Sequence, residues 1–422
     1  MNRIILIGNG FDLAHEMKTT YKDFLDNYWE EVIALIKKSP QGRKFENDEV
    51  IINKSPSGFL SGNSYNDLKA TLKDFKEDII FKNKFLEKIT EKSNIESWVD
   101  VENEYYSLLK DIYKKNGNAL KNYSISQLNL DFQRIKDLLR EYLTSINENF
   151  KRNYQWHNRT EQTIGYKLFE LLNPRDFSED ALNEIVEIEY KNLEKEINEI
   201  KQGKLDLERV EGSKQALLRK LLNSYNPRTT IRRLLQSPGA SNDFNMVPEE
   251  TLFLNFNYTF TEDFYTRPKT FNHFDDFDTK VSVNHIHGSI NKYEKSPIIF
   301  GFGDELDDEY SNIEKLNNNE YLENIKSINY LESSNYKSLL EFINSQRYQI
   351  FIIGHSCGIS DRTLLNTMFE HINCSSIKIF YHQKSEEEDN YSDIVRNISR
   401  NFNDKASMRD RVVNKQYSQK LL

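Results

Sequence analysis

The sequence predicts an α/β protein whose parallel sheet is assembled from both ends of the chain and interrupted by a long helical insertion. Short apolar runs rich in Ile, Val and Phe fall at residues 3–7, 251–256, 281–286, 297–300, 349–353 and 377–381, with almost none between the first and the second. Their near-continuous apolar character suits parallel strands covered on both faces. The long stretch between them repeats its apolar residues at helical spacing instead.

In chain order, the strand at 3–7 runs into Gly8-Asn9-Gly10-Phe11-Asp12. A Gly-x-Gly between a strand and a helix can bring backbone N–H groups against a phosphate, which makes Gly8, Asn9 and Gly10 candidate ligand contacts. The third glycine of the dinucleotide fingerprint is absent, with Leu13 in its place. Asp12 either caps the following helix or contacts a ribose or water. Tyr21, Phe24, Leu25, Tyr28, Trp29, Val32, Ile33 and Ile36 then form the stripe of an amphipathic helix. Breaker residues at Ser55 to Ser64 open the insertion. Helical patterns follow from Trp98 to Ile112, Leu128 to Phe150 and Tyr166 to Ile200, and Ser237 to Pro248 closes it. The expected division is a Rossmann-like nucleotide-binding domain from 1–54 and 246–422, with the insertion at 55–245.

Each later strand also ends in a polar or glycine cluster: Asn257-Tyr258-Thr259, His287-Gly288-Ser289, Gly301-Phe302-Gly303-Asp304, Gly354-His355-Ser356 and Tyr381-His382. In a parallel sheet those ends share one edge, and open α/β sheets bind ligands there. His285 alternates with His287, faces the other side of its strand and reads as structural.

Composition narrows the function. Fifty-seven Lys and Arg against 66 Asp and Glu leave a net charge of −9, which disfavours broad nucleic-acid binding. No run approaches the ~18–20 apolar residues of a membrane span, and Met1 leads straight into a strand with no signal-peptide layout. A cytoplasmic protein is expected. Cys357 and Cys374 are the only cysteines, too few for a disulfide scaffold or a four-cysteine zinc site.

The opening Ile5-Leu6-Ile7-Gly8-Asn9-Gly10-Phe11-Asp12-Leu13-Ala14, Thr20-Tyr21-x-x-Phe24-Leu25, Trp98-x-Asp100-x-Glu102, Phe256-Asn257-Tyr258-Thr259, His285-x-His287-Gly288 and Gly354-His355-Ser356 with Asp361 together resemble the bacteriophage abortive-infection AbiH family. That family in turn resembles the sirtuin-like NAD-binding domains of antiphage systems. The resemblance implies a match of Gly8 and Gly10 to a glycine-rich first loop and of Asn257 and Tyr258 to an Asn-Tyr-Asp. It likewise aligns His287 and Gly288 with a His-Gly, and Gly354, Ser356 and Asp361 with a Gly-x-Ser-x-x-Asp. Thr259 replaces the Asp of that pattern, and Phe11-Asp12 replaces small residues.

The implied chemistry is cleavage of NAD to nicotinamide and ADP-ribose. An Asn can position water and a His with an unperturbed pKa of ~6.5 can take its proton. Asn257 and His287 are the implied catalytic pair, with Gly8 and Gly10 at the pyrophosphate and Gly354 and Ser356 at the adenosine side. No metal is expected. A phage-derived trigger is the expected partner, and the insertion or a homo-oligomer could hold the enzyme inactive before infection.

Other classes compete. Gly354-His355-Ser356-Cys357-Gly358 is a literal Gly-x-Ser-x-Gly, so a serine hydrolase could use Ser356 with His382 and Asp361, Asp389 or Asp393. Asp12, His15, His287 and Asp304 could form the metal site of a nuclease or phosphodiesterase. A non-enzymatic nucleotide-binding module is the third alternative. Asp100 and Glu104, one helical turn apart, read as a solvated helix face, and the acidic run from Asp304 to Glu309 reads as an exposed loop.

Overall fold

The structure, a computed structural model, describes residues 1–92, 98–114, 123–153, 159–210, 212–266, 280–291, 297–302, 305 and 307–422. Its strands are β1 Asn2–Ile7, β2 Phe45–Glu46, β3 Val50–Ile52, β4 Ile80–Phe81, β5 Glu250–Asn255, β6 Lys280–His285, β7 Tyr348–Ile353, β8 Cys374–Tyr381 and β9 Gln419–Lys420. Six of them form one sheet in the order β6-β5-β1-β7-β8-β9, with every pairing parallel. The chain's first strand therefore lies at the centre, between partners drawn from its far end. β2, β3 and β4 make a small antiparallel sheet.

The apolar runs are continuous because both faces of the large sheet are covered. Ile4, Leu6, Ile350 and Ile352 pack on one face with Leu364, Met368 and Ile398. Their neighbours Ile5, Ile7, Phe351 and Ile353 pack on the other with Phe11, Ile164 and Leu168. Alternate residues of a strand point to opposite faces, so apolar cover on both sides demands apolar residues throughout.

Between β1 and β5 run α1 Asn9–Ala14, α2 Tyr21–Lys38, α3 Tyr65–Asp74, α4 Lys84–Glu91, α5 Trp98–Lys114, α6 Ile125–Asn153, α7 Arg159–Leu168, α8 Glu179–Lys201, α9 Gly212–Leu222 and α10 Pro227–Leu235. α2 starts at a capping box: Asp23 N–H donates to Thr20 Oγ1 at 3.0 Å, and Thr20 N–H donates to Asp23 Oδ2 at 3.1 Å. Its predicted stripe is buried in one core with α3, α4, α5 and α6. Packing thus groups residues 21–38 with the helices that follow residue 64, although composition breaks only at 55. α8, α9 and α10 share a separate core.

Two sequence expectations are corrected. Residues 297–300 are not a strand: Ile298 and Phe300 pack into the helical core while Ile299 packs against the sheet, and beyond them Phe302 makes only an isolated bridge to Ile325. The helical periodicity from 166 to 200 is not one helix. α7 ends at Leu168, a 3-10 turn forms at Pro174–Asp176, and α8 restarts behind Ser178, whose hydroxyl accepts from Ala181 N–H. Pro174 has no N–H to continue a helix and is tolerated at a first turn. Among the described residues, no helix is long and apolar enough to cross a membrane.

Candidate functional site

β1, β5 and β7 run in register, so their carboxyl ends lie side by side. The loops that leave them line a cavity of about 340 Å3 together with Tyr21 of α2 and with Trp98, Leu139 and Leu143 of the insertion. That volume lies toward the small end of the ~300–1,000 Å3 typical of ligand pockets. Of the sequence-derived candidates, Gly8, Asn9, Gly10, Asp12, Asn257, Tyr258, His287, Gly354, Ser356 and Asp361 all line it. Gly288 does not. Its φ is +77°, and a Cβ there would sit 2.1 Å from Pro297 O, so Gly288 serves the turn beneath the site.

The first loop and the loop after β7 touch backbone to backbone. Gly8 N–H donates to Ile353 O at 3.1 Å and Gly10 N–H donates to Gly354 O at 2.8 Å. A Cβ on Gly10 would lie 2.8 Å from Gly354 Cα. The glycines are thus required by loop-on-loop packing, and the two N–H groups expected to meet a phosphate are already engaged. Gly354 is the most constrained, with φ +69° and a Cβ position 2.1 Å from Phe11 N. Gly354→Ala should cost more than the ~1–3 kcal/mol of backbone strain alone. Thermal melts test this, and a wild-type melting temperature would show that the loops can separate freely.

Asn257 donates from Nδ2 to Gly8 O at 3.0 Å, and its own N–H donates to Asn255 Oδ1 at 2.7 Å. These bonds fix the amide and leave Oδ1 as its acceptor. Asn9 accepts from Thr19 Oγ1 at 2.7 Å, Tyr258 donates to Ile299 O at 3.0 Å, and Ser356 is exposed at the rim.

Asp12 is buried and caps no helix. Its Oδ2 accepts from Thr259 Oγ1 and its Oδ1 from Thr261 Oγ1, both at 2.6 Å. Thr259 and Asp12, from the loops after β5 and β1, are therefore hydrogen-bonded to each other. Burial pushes the Asp12 pKa up to about 6 against those hydroxyl donors. An acid with a raised folded pKa binds its proton more tightly when folded, so this contribution stabilises the fold at low pH and is lost as pH rises from about 4 to about 6. At ~1.36 kcal/mol per unit the effect is on the order of 3 kcal/mol. Asp12→Asn should therefore be more stable than wild type at pH 7.5, with the advantage disappearing near pH 4. Denaturant midpoints at both pH values check this, and a variant less stable at pH 7.5 would contradict it.

The densest part of the site is a buried charged chain. Lys326 Nζ lies 2.8 Å from Glu102 Oε1 and 2.8 Å from Asp361 Oδ1. The same Asp361 oxygen is 3.2 Å from His287 Nε2, which also lies 3.1 Å from Tyr330 Oη. A carboxylate can only accept, so the His287 proton sits on Nε2 and Nδ1 is left as the basic nitrogen. His355 accepts the Cys357 N–H at Nδ1, at 3.0 Å, and turns Nε2 toward Asp361 Oδ2 at 3.6 Å.

Burial lowers the His287 pKa, helped by the Lys326 ammonium and opposed by Asp361. Burial works against the charge on Asp361, yet Lys326 and His287 hold its pKa well below the usual carboxylate range. Burial raises that of Glu102 despite Lys326. The Lys326 pKa is raised because its two carboxylates outweigh burial. Glu102 was part of a recognised motif without a role, and Lys326 carried no sequence signal at all.

Other expectations fare differently. The Gly-x-Ser-x-Gly segment has its left-handed residue at Cys357, with φ 54°, rather than at Ser356, and His382 does not line the cavity. The four metal candidates are not assembled: His15 bonds Phe11 O at 2.7 Å and Tyr265 Oη at 2.6 Å outside the cavity, and Asp304 lies outside the described residues. Among the described residues, no group of three His, Cys, Asp or Glu side chains is arranged to hold a metal. His285 faces away, 2.9 Å from Glu262, as expected. Glu104 is not solvated but buried and paired with Lys92, whereas the acidic run meets Lys110 at Asp307 and Lys114 at Glu309.

No curated protein and no solved structure matches the chain. A family model, bacteriophage abortive infection AbiH, matches residues 4–383. The chain belongs to that family, which indicates a role in abortive-infection defence against phage.

Proposed function

We propose that this AbiH-family protein binds NAD and, during phage infection, hydrolyses it to nicotinamide and ADP-ribose. The observation that carries the reading is the meeting of Asn257, His287 and Asp361 in one cavity, from loops that leave different parts of the chain. The strand order supports it. Counted along the chain, the sheet strands run third, second, first, fourth, fifth, sixth, the order of doubly wound dinucleotide-binding sheets, whose ligands sit where the order reverses beside the first strand.

In this reading Asn257 Oδ1 holds a water and His287 Nδ1 takes its proton as the oxygen bonds to the ribose C1′. The C1′–N1 bond breaks at the same centre and its electron pair leaves with neutral nicotinamide. Asp361 fixes the His287 tautomer and stabilises the imidazolium that forms. Asp12, held by Thr259 and Thr261, faces the same cavity in place of the Asp at position 259 of the related pattern. In this reading the insertion, which contributes Trp98, Leu139, Leu143 and Glu102 to the cavity lining, restrains the enzyme before infection.

The test is to incubate the purified protein with NAD, alone and with lysate of infected cells, and to measure nicotinamide and ADP-ribose. Equimolar release that survives EDTA is expected. Absence of release in both mixtures would remove the reading, and release abolished by EDTA would favour a metal-dependent phosphodiesterase.

A further inference from the structure

The charge inside the cavity narrows what can enter it. Among the described residues, three carboxylates, Asp12, Glu102 and Asp361, line it against one ammonium, Lys326, and no arginine lines it. That ammonium is already held at 2.8 Å by two of the carboxylates. The hydrogen-bond donors tell the same story. Six lining side chains that could serve a phosphate are engaged within the protein, Thr19 with Asn9, Tyr21 with Ile89 O, Trp98 with Thr19 O, Asn257 with Gly8 O, Tyr258 with Ile299 O and Thr259 with Asp12, which leaves the amide of half-buried Asn9 and the hydroxyl of exposed Ser356 as neutral donors. The N–H groups of Gly8 and Gly10 are engaged too, with Ile353 O and Gly354 O. A phosphate brought here would lose its water and meet few donors, with the one lining ammonium already paired to two carboxylates. A cationic ring would instead meet carboxylates and the aromatic side chains of Trp98, Tyr258 and Phe300.

We infer that the cavity recognises the nicotinamide-riboside end of its ligand and excludes phosphate, so that the ligand's phosphates lie outside, toward the exposed Ser356 rim. The inference rests on the NAD reading and says which half of the dinucleotide the protein grips. The charge also fits the reaction. Positive charge that begins on the pyridinium passes to the ribose as the glycosidic bond breaks, and fixed carboxylates stabilise it there without reorganising. This assignment replaces the phosphate contact that the Gly-x-Gly loop suggests in the sequence.

Calorimetric titration of the full-length protein with nicotinamide riboside, its 5′-phosphate, ADP-ribose and NAD tests it. The riboside and its 5′-phosphate should bind within about threefold of each other, and ADP-ribose at least tenfold more weakly. A 5′-phosphate that tightens binding tenfold or more, or a preference for ADP-ribose, would overturn the inference while leaving NAD as the ligand. No binding by any of the four would overturn both the inference and the NAD reading. Asp12→Asn supplies the second arm, because that variant is expected to be the more stable protein at pH 7.5. Riboside affinity should drop at least fivefold in it, and unchanged affinity would contradict the electrostatic origin of the selectivity.

Discussion

Replacing Lys326 with methionine should destabilise the protein by about 3–5 kcal/mol, the usual consequence of removing one partner from a buried charge network. Lys326 is 1% exposed, and both of its carboxylate partners are buried with it. Glu102 comes from α5 in the insertion and Asp361 from the turn after β7, so the ammonium is a tie between the insertion and the sheet edge. Without it, two buried carboxylates face each other with only the imidazoles and weak donors near them. The double variant Lys326→Met with Glu102→Gln removes one charge of each sign and should recover most of the loss. Denaturant unfolding of the single and double variants measures this. A single variant within about 1 kcal/mol of wild type would mean that water already reaches the network and that the tie is not buried.

His287→Ala should lower NAD hydrolysis per folded molecule by about 10²–10⁴-fold, the range for removing a general base, beyond the stability it loses with the contacts to Asp361 and Tyr330. A merely structural histidine would show loss of stability with activity per folded molecule retained. The pH profile gives a sharper sign. Because burial and Lys326 depress the His287 pKa, the base is neutral at physiological pH and the acid limb of kcat/KM should lie below the ordinary histidine value of ~6.5. Lys326 disfavours the imidazolium and Asp361 favours it, so the double variant that lacks the ammonium should have its acid limb moved to higher pH. An unmoved limb would separate His287 from the proton transfer.

The strands at 3–7, 251–256 and 349–353 were legible in the sequence because two-sided burial forces unbroken apolar runs. The run at 297–300 looks the same by composition, but its residues satisfy two cores at once instead of a strand ladder, a distinction that only tertiary packing makes. Gly8 and Gly10 were recognisable as special positions, yet the reason differs: their missing side chains admit the loop after β7, and their N–H groups are engaged there. Asp12 and Thr259 each looked like a loss against the related pattern. Their 2.6 Å hydrogen bond joins loops 247 residues apart in the chain, which no reading of single positions reveals. Lys326 sits in a polar stretch where a lysine ordinarily reads as solvated, and only the approach of Glu102 and Asp361 accounts for its burial.

The most direct test of the central claim is the cellular NAD level after phage challenge in cells carrying the wild-type protein or His287→Ala. The account predicts that NAD collapses with the wild type, that it holds steady with the variant, and that protection is lost with it. Protection by the wild type without any fall in NAD would contradict the account, and the cavity would then have to act on a different ligand.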